Sequence, residues 1–116
     1  MSRDIRRSQS QRHDGGWGAL APAKKGRLLA KLSRAILDHA AELANLESRD
    51  CGKPWSQAKN DVVACARYFE FYAGACDKLH GETLPYSPGY AVLTWREPHG
   101  VTAHIIPWNY PLQIFG

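Results

Sequence analysis

The side chains in this chain best suited to chemistry are three cysteines, Cys51, Cys65 and Cys76, and a stretch from His99 to Asn109. A thiol can attack a carbonyl, bind a soft metal or join a disulfide, and each use needs its own surroundings. The cysteine count is odd and no C-x-x-C occurs. Neither a disulfide framework nor a structural zinc site is therefore expected, and reduced thiols in a cytoplasmic setting fit best. Cys65 and Cys76 fall on the apolar stripe of a helix, where a cysteine acts as a small hydrophobe. His104 interrupts an apolar run and reads as a core or neighbouring-face histidine rather than a ligand, so no metal site is expected. By residue type alone, Asn109 reads as a turn residue or as the N-cap of a helix at Pro111.

Three helices and a short β region must position these groups. Pro22 suits the first turn of a helix, and Leu28, Leu29, Leu32, Ala35, Ile36 and His39 then mark one face of it over residues 22–37. Asp38 could cap a second helix over 40–50 that buries Leu43 and Leu46. Gly52 and Pro54 supply its stop signal. Val62, Cys65, Ala66, Phe69, Tyr72, Ala73, Cys76 and Leu79 keep helical spacing over 61–79, with Asp61 as a favourable carboxylate near the N-terminus. After Gly81 the pattern changes. Residues 82–85 and 90–97 read as the arms of a hairpin around Ser87-Pro88-Gly89. Residues 101–106 read as a strand buried on both faces, as in a parallel sheet, with a helix beginning after Pro111. This order is α/β. One parallel strand cannot make a sheet without a crossover and a neighbour, so further chain is expected after Gly116.

The 116 residues suffice for one domain, and 44% hydrophobic content allows a core. The net charge of +4 is spread along the chain rather than gathered on one face between aromatics, which argues against nucleic-acid binding. No apolar run approaches the ~20 residues that a membrane helix needs. Residues 1–16 are polar. Arg3, Arg6, Arg7, Arg12 and three serines make them similar in composition to a mitochondrial transit peptide. Ile5 is their one large apolar residue and Asp4 and Asp14 interrupt them, so a disordered tail is expected.

Arg96-Glu97-Pro98-His99-Gly100-Val101 followed by Ile105-Ile106-Pro107-Trp108-Asn109-Tyr110-Pro111-Leu112 closely resembles the aldehyde dehydrogenase superfamily. Three further matches precede it in order: Leu46-Glu47 with Gly52-Lys53-Pro54, Arg67-Tyr68-Phe69 with Tyr72-Ala73-Gly74, and Gly81-Glu82-Thr83-Leu84-Pro85. The resemblance covers residues 17–116. It implies N-terminal helices, a β-hairpin and the first strand of a Rossmann-like cofactor domain, incomplete here. It implies oxidation of an aldehyde to a carboxylate with NAD or NADP through a cysteine thiohemiacetal. It further implies that Asn109 donates its side-chain amide to the aldehyde oxygen and that Ile106, Pro107 and Trp108 line the cofactor cleft. The family's catalytic cysteine and general-base glutamate have no counterpart among these residues, so the chain by itself is expected to be inactive. The hairpin over 83–97 corresponds to the family's oligomerisation element, which implies a dimer or tetramer. Two other classes remain open: a non-catalytic module pairing with full-length subunits, and a small basic nucleic-acid binder.

Overall fold

The computed structural model describes residues 16–116. The tail expected over 1–16 lies, apart from Gly16, outside the described residues. Helix α1 spans Pro22–Asp38 and opens with proline at its first position. The carbonyl of Ala21 accepts the amides of Lys24 and Lys25 at 2.9 and 3.1 Å. At His39 the backbone turns (φ −101°, ψ 17°), and α2 follows at once over Ala40–Cys51. The cap of α2 is therefore His39 and not Asp38, which is still the last residue of α1. Gly52 closes α2 at φ 71°, a left-handed conformation that glycine adopts without strain, and its N–H donates to the Ser48 carbonyl at 3.0 Å.

Helix α3 spans Trp55–Ala75, so it starts and ends earlier than the 61–79 expected from periodicity. Pro54 serves both as the stop for α2 and as the entry to α3. Its carbonyl accepts the amides of Gln57 and Ala58 at 3.0 and 3.1 Å. After Ala75 the chain turns, with the Lys78 amide on the Ala75 carbonyl at 2.9 Å, and Leu79 is left outside the helix and exposed.

Both α1 and α2 pack on α3. The buried apolar residues are Ile36, Ala44, Ala58, Val62, Cys65 and Ala66. Most are small, so the helices approach closely. This rotates α1 from part of its expected face: Ile36 is buried as expected, but Leu28 and Leu32 are exposed and Gly26 and Ser33 are buried instead. A Cβ at Gly26 would lie 2.5 Å from the Ala73 carbonyl oxygen, and the Ser33 hydroxyl donates to the Ala66 carbonyl at 2.7 Å. Leucines on that face would force the axes apart. In α2, Leu46 is likewise 64% exposed, and the inward residues are Leu43, Ala44 and Glu47.

Strands β1 (Thr83–Leu84) and β2 (Val92–Leu93) form an antiparallel pair, with Thr83 opposite Leu93 and Leu84 opposite Val92. The hairpin is shorter than the arms expected. The Thr94 amide extends it by one bond to the Glu82 carbonyl at 2.8 Å, and Arg96 Nε donates to the His80 carbonyl at 2.8 Å. The strand expected over residues 101–106 does not form. A ladder needs a neighbour, and among the described residues the one sheet is β1–β2. Ile105 is accordingly fully exposed, and His104 is an exposed residue whose Nε2 lies 2.9 Å from Thr102 Oγ1, not a core histidine. A five-residue helix, α4 (Pro111–Phe115), follows and returns to α3. There Leu112 packs on the core and Phe115 meets Phe69 with ring centroids 5.7 Å apart. The described part is thus an α/β arrangement of N-terminal helices and a hairpin, with the Rossmann-like sheet incomplete. Among the described residues no helix is long and apolar enough to cross a membrane.

Candidate functional site

The turn over residues 107–111 lies against the junction of α2 and α3. Tyr110, not Asn109, is the N-cap of α4, and Pro111 takes the first helical position. Asn109 stands exposed within the turn, one residue before the cap, and among the described residues its side-chain amide has no hydrogen-bond partner. Trp108 and Pro107 are exposed beside it, and Ile106 is half-buried.

Three contacts hold this turn down. The Cys51 thiol donates to the Trp108 carbonyl at 2.9 Å. The Gln57 side-chain amide donates to the Tyr110 hydroxyl oxygen at 3.0 Å. The Lys53 ammonium sits 4.4 Å from the centroid of the Tyr110 ring, within the range of a cation–π contact.

Beneath Tyr110 lies a buried charge cluster. Lys53 Nζ is 2.5 Å from Glu47 Oε1 and 2.7 Å from Asp61 Oδ2. The three side chains are 8%, 1% and 9% exposed. The backbone of Lys53 is fixed too, because the Ser48 hydroxyl donates to its carbonyl at 2.7 Å. Glu47 Oε2 is buried with no hydrogen-bond partner among the described residues. Burial works against the ammonium, but hydrogen bonds to Asp61 and Glu47 and their charges outweigh it and raise the Lys53 pKa. Asp61 is not a carboxylate at a helix N-terminus, as its position in the sequence suggested. With α3 starting at Trp55, it falls in the second turn and faces Lys53.

A raised lysine pKa has a definite consequence for stability. The protonated form is favoured by folding, so the contribution is complete below the unfolded lysine value of about 10.4. It is lost as pH rises through the higher folded value. Thermal melts from pH 9 to 12 are expected to show an alkaline loss above about pH 10 that shrinks in a Glu47→Gln/Lys53→Leu/Asp61→Asn variant, compared under the same conditions. An identical alkaline loss in that variant would contradict the assignment.

Two of the thiols, Cys51 and Cys65, are held toward the protonated form. Burial raises the Cys51 pKa, with Lys53 opposing it, and burial aided by Glu47 raises that of Cys65. Since the thiolate is the reactive form, neither is activated. None of the three cysteines is paired.

The family resemblance assigned Ile106, Pro107, Trp108 and Asn109, which are contiguous, to one site. Sequence reasoning missed the support beneath them: Cys51, Gln57 and the Glu47–Lys53–Asp61 cluster. One signal was present. On α2 the helical stripe through Leu43 and Ala44 continues to position 47, and a glutamate on a buried stripe calls for a cation.

A profile of the aldehyde dehydrogenase family matches residues 3–116, and the chain belongs to that family. The match begins fourteen residues ahead of Trp17. The mitochondrial aldehyde dehydrogenase family 2 member B4 of Arabidopsis thaliana is 37% identical over 116 residues, covering 99% of this chain and 22% of the relative. A Burkholderia cenocepacia family member of known structure is 61% identical with a TM-score of 0.84, covering 97% of this chain and 24% of its own. The NAD+ complex of aldehyde dehydrogenase from Bacillus cereus is 38% identical with a TM-score of 0.88, covering 95% and 23%. The chain thus spans between a fifth and a quarter of the length of these relatives.

Proposed function

We propose that this chain contributes the oxyanion-stabilising Asn109 and one wall of the cofactor cleft to an NAD(P)-dependent enzyme that oxidises an aldehyde to a carboxylate. The observation that carries this reading is the exposed Asn109 amide, held in a turn anchored to the helical core. In the proposed reaction a thiolate adds to the aldehyde carbon, forming a C–S bond and moving the carbonyl electron pair onto oxygen. An N–H already aimed at that oxygen lowers the barrier, because it needs no reorganisation as the charge develops. The thiolate and the general base come from outside the residues of this chain, consistent with the raised pKa values of Cys51 and Cys65.

Bound against these residues, NAD or NADP would supply the acceptor for the hydride lost from the adduct carbon, and water would then cleave the C–S bond to release the carboxylate and the thiolate. The present residues fit one wall of the cofactor cleft: Ile106, Pro107 and Trp108 offer an apolar surface, and among the described residues no paired strand lies behind them to seat a dinucleotide. The three free thiols suit a reducing, cytoplasmic setting. The exposed hairpin, with Tyr90, Leu93 and Trp95 open to solvent, suits an oligomer interface in a dimer or tetramer. The same surface favours a second reading, a non-catalytic module pairing with full-length subunits, for which co-purification with such a subunit is the test.

Two assays test the main reading. The isolated chain is expected to form no NADH from a panel of aldehydes above the buffer rate. Residues 17–116, grafted in place of the corresponding part of the Bacillus cereus enzyme, are expected to sustain NAD-dependent oxidation. A graft that assembles normally yet oxidises no aldehyde would overturn it.

A further inference from the structure

We propose that Lys53, fixed between Glu47 and Asp61, is a positioning residue for Asn109, acting through the ring of Tyr110. The inference rests on the oxyanion reading of Asn109 and names the device that aims it. An ammonium has three N–H bonds. Two are taken by Glu47 Oε1 and Asp61 Oδ2, which leaves the third direction for the face of Tyr110. Tyr110 is the residue next to Asn109, and its hydroxyl is held by Gln57 from the first turn of α3. On the other side of Asn109, the Trp108 carbonyl is held by Cys51 at the last turn of α2.

Asn109 is therefore flanked by two anchored residues while its own side chain is left exposed. Both anchors lie on elements joined by the short link at Gly52, Lys53 and Pro54. The cluster fixes that link, because Lys53 belongs to it and its ion pairs reach back into α2 and forward into α3. A turn fastened only by its backbone would leave the amide to sample many directions. One fastened at both neighbours confines it, which is what electrostatic preorganisation requires.

Cys51 reports on this arrangement without any catalytic assay. Its thiol is engaged as a donor to the Trp108 carbonyl, so loosening the turn releases it. Alkylation by iodoacetamide in the isolated chain, read residue by residue by mass spectrometry, uses Cys76 as the internal reference and buried Cys65 as the check that the helices remain folded. Tyr110→Leu removes the ring from Lys53 and is expected to speed alkylation of Cys51 about five- to tenfold relative to Cys76. Tyr110→Phe keeps the ring and loses only the Gln57 bond, so it is expected to stay within about twofold of the unmodified chain. If Tyr110→Leu exposes Cys65, Tyr110→Met gives the same comparison with an unbranched chain over the cluster.

Asn109→Ala is expected to leave Cys51 reactivity unchanged, since it touches none of the anchors. Its effect on turnover in the graft concerns the oxyanion reading alone, so the two failures are distinguishable. Equal Cys51 rates in the unmodified chain and in the ring-less variants would overturn the proposal, as would a Tyr110→Phe rate as high as that of Tyr110→Leu.

Discussion

Asn109→Ala in the Bacillus cereus graft is expected to lower kcat by about 10²–10³, with KM little changed. The reason lies in when the hydrogen bond matters. A ground-state carbonyl oxygen carries little charge and gains little from the amide, whereas the alkoxide formed by thiolate addition carries a full one. An interaction made mainly in the transition state appears in kcat rather than in KM. Asn109→Asp is expected to be at least as damaging, because a carboxylate has no N–H to donate and sets a negative charge where negative charge must develop. If alanine and aspartate variants both retain kcat within about threefold, the amide is not an oxyanion donor and Asn109 is a turn residue only.

The second large effect falls on stability. Lys53→Leu is expected to destabilise the isolated chain by about 3–5 kcal/mol, because it strands Glu47 and Asp61 as buried carboxylates without their cation. Domains have only about 5–15 kcal/mol of net stability, so this single change is expected to leave α2 and α3 partly or wholly unfolded at 25 °C. The triple variant Glu47→Gln/Lys53→Leu/Asp61→Asn removes all three charges together. It is expected to recover most of the loss, since amides of the same shape can hydrogen-bond to one another without a net charge to desolvate. Urea melts followed by helical circular dichroism separate the cases. A Lys53→Leu chain as stable as the unmodified one would mean that the cluster is a solvated surface feature, contrary to its burial.

The helices were legible in the sequence because their signals are local. Apolar spacing, Pro22, Gly52 and Pro54 act within a few residues, and α1, α2 and α3 lie where those signals put them, with α3 displaced because Pro54 both ends one helix and begins the next. The faces were less legible. Periodicity weights large apolar residues, so it chose Leu28, Leu32 and Leu46, yet the close α1–α3 crossing selects Gly26 and Ser33 because they are small. The run at 101–106 has the composition of a buried strand, but composition cannot provide the neighbouring strand that hydrogen-bonding requires.

At the candidate site, the turn at 107–111 was legible as a motif, and the ground it stands on was not. Cys51, Lys53 and Gln57 lie more than fifty positions earlier in the chain, and nothing local to them marks them as its support. Lys53 reads as an ordinary surface cation until α2 and α3 fold back and place Glu47 and Asp61 on either side of it. Resemblance of motifs pointed to Asn109; only the folded arrangement shows how its neighbours are fastened.

The measurement closest to the central claim is a crystal structure of the graft soaked with an aldehyde in the absence of cofactor, so that the thiol adduct accumulates. The distance from the Asn109 side-chain nitrogen to the adduct oxygen is expected to fall within about 2.7–3.1 Å, the range for an oxyanion donor. The 107–111 turn should remain seated on Tyr110, Lys53 and Cys51 as it is here. An adduct oxygen more than about 3.5 Å from that nitrogen, with other groups donating to it, would contradict the account.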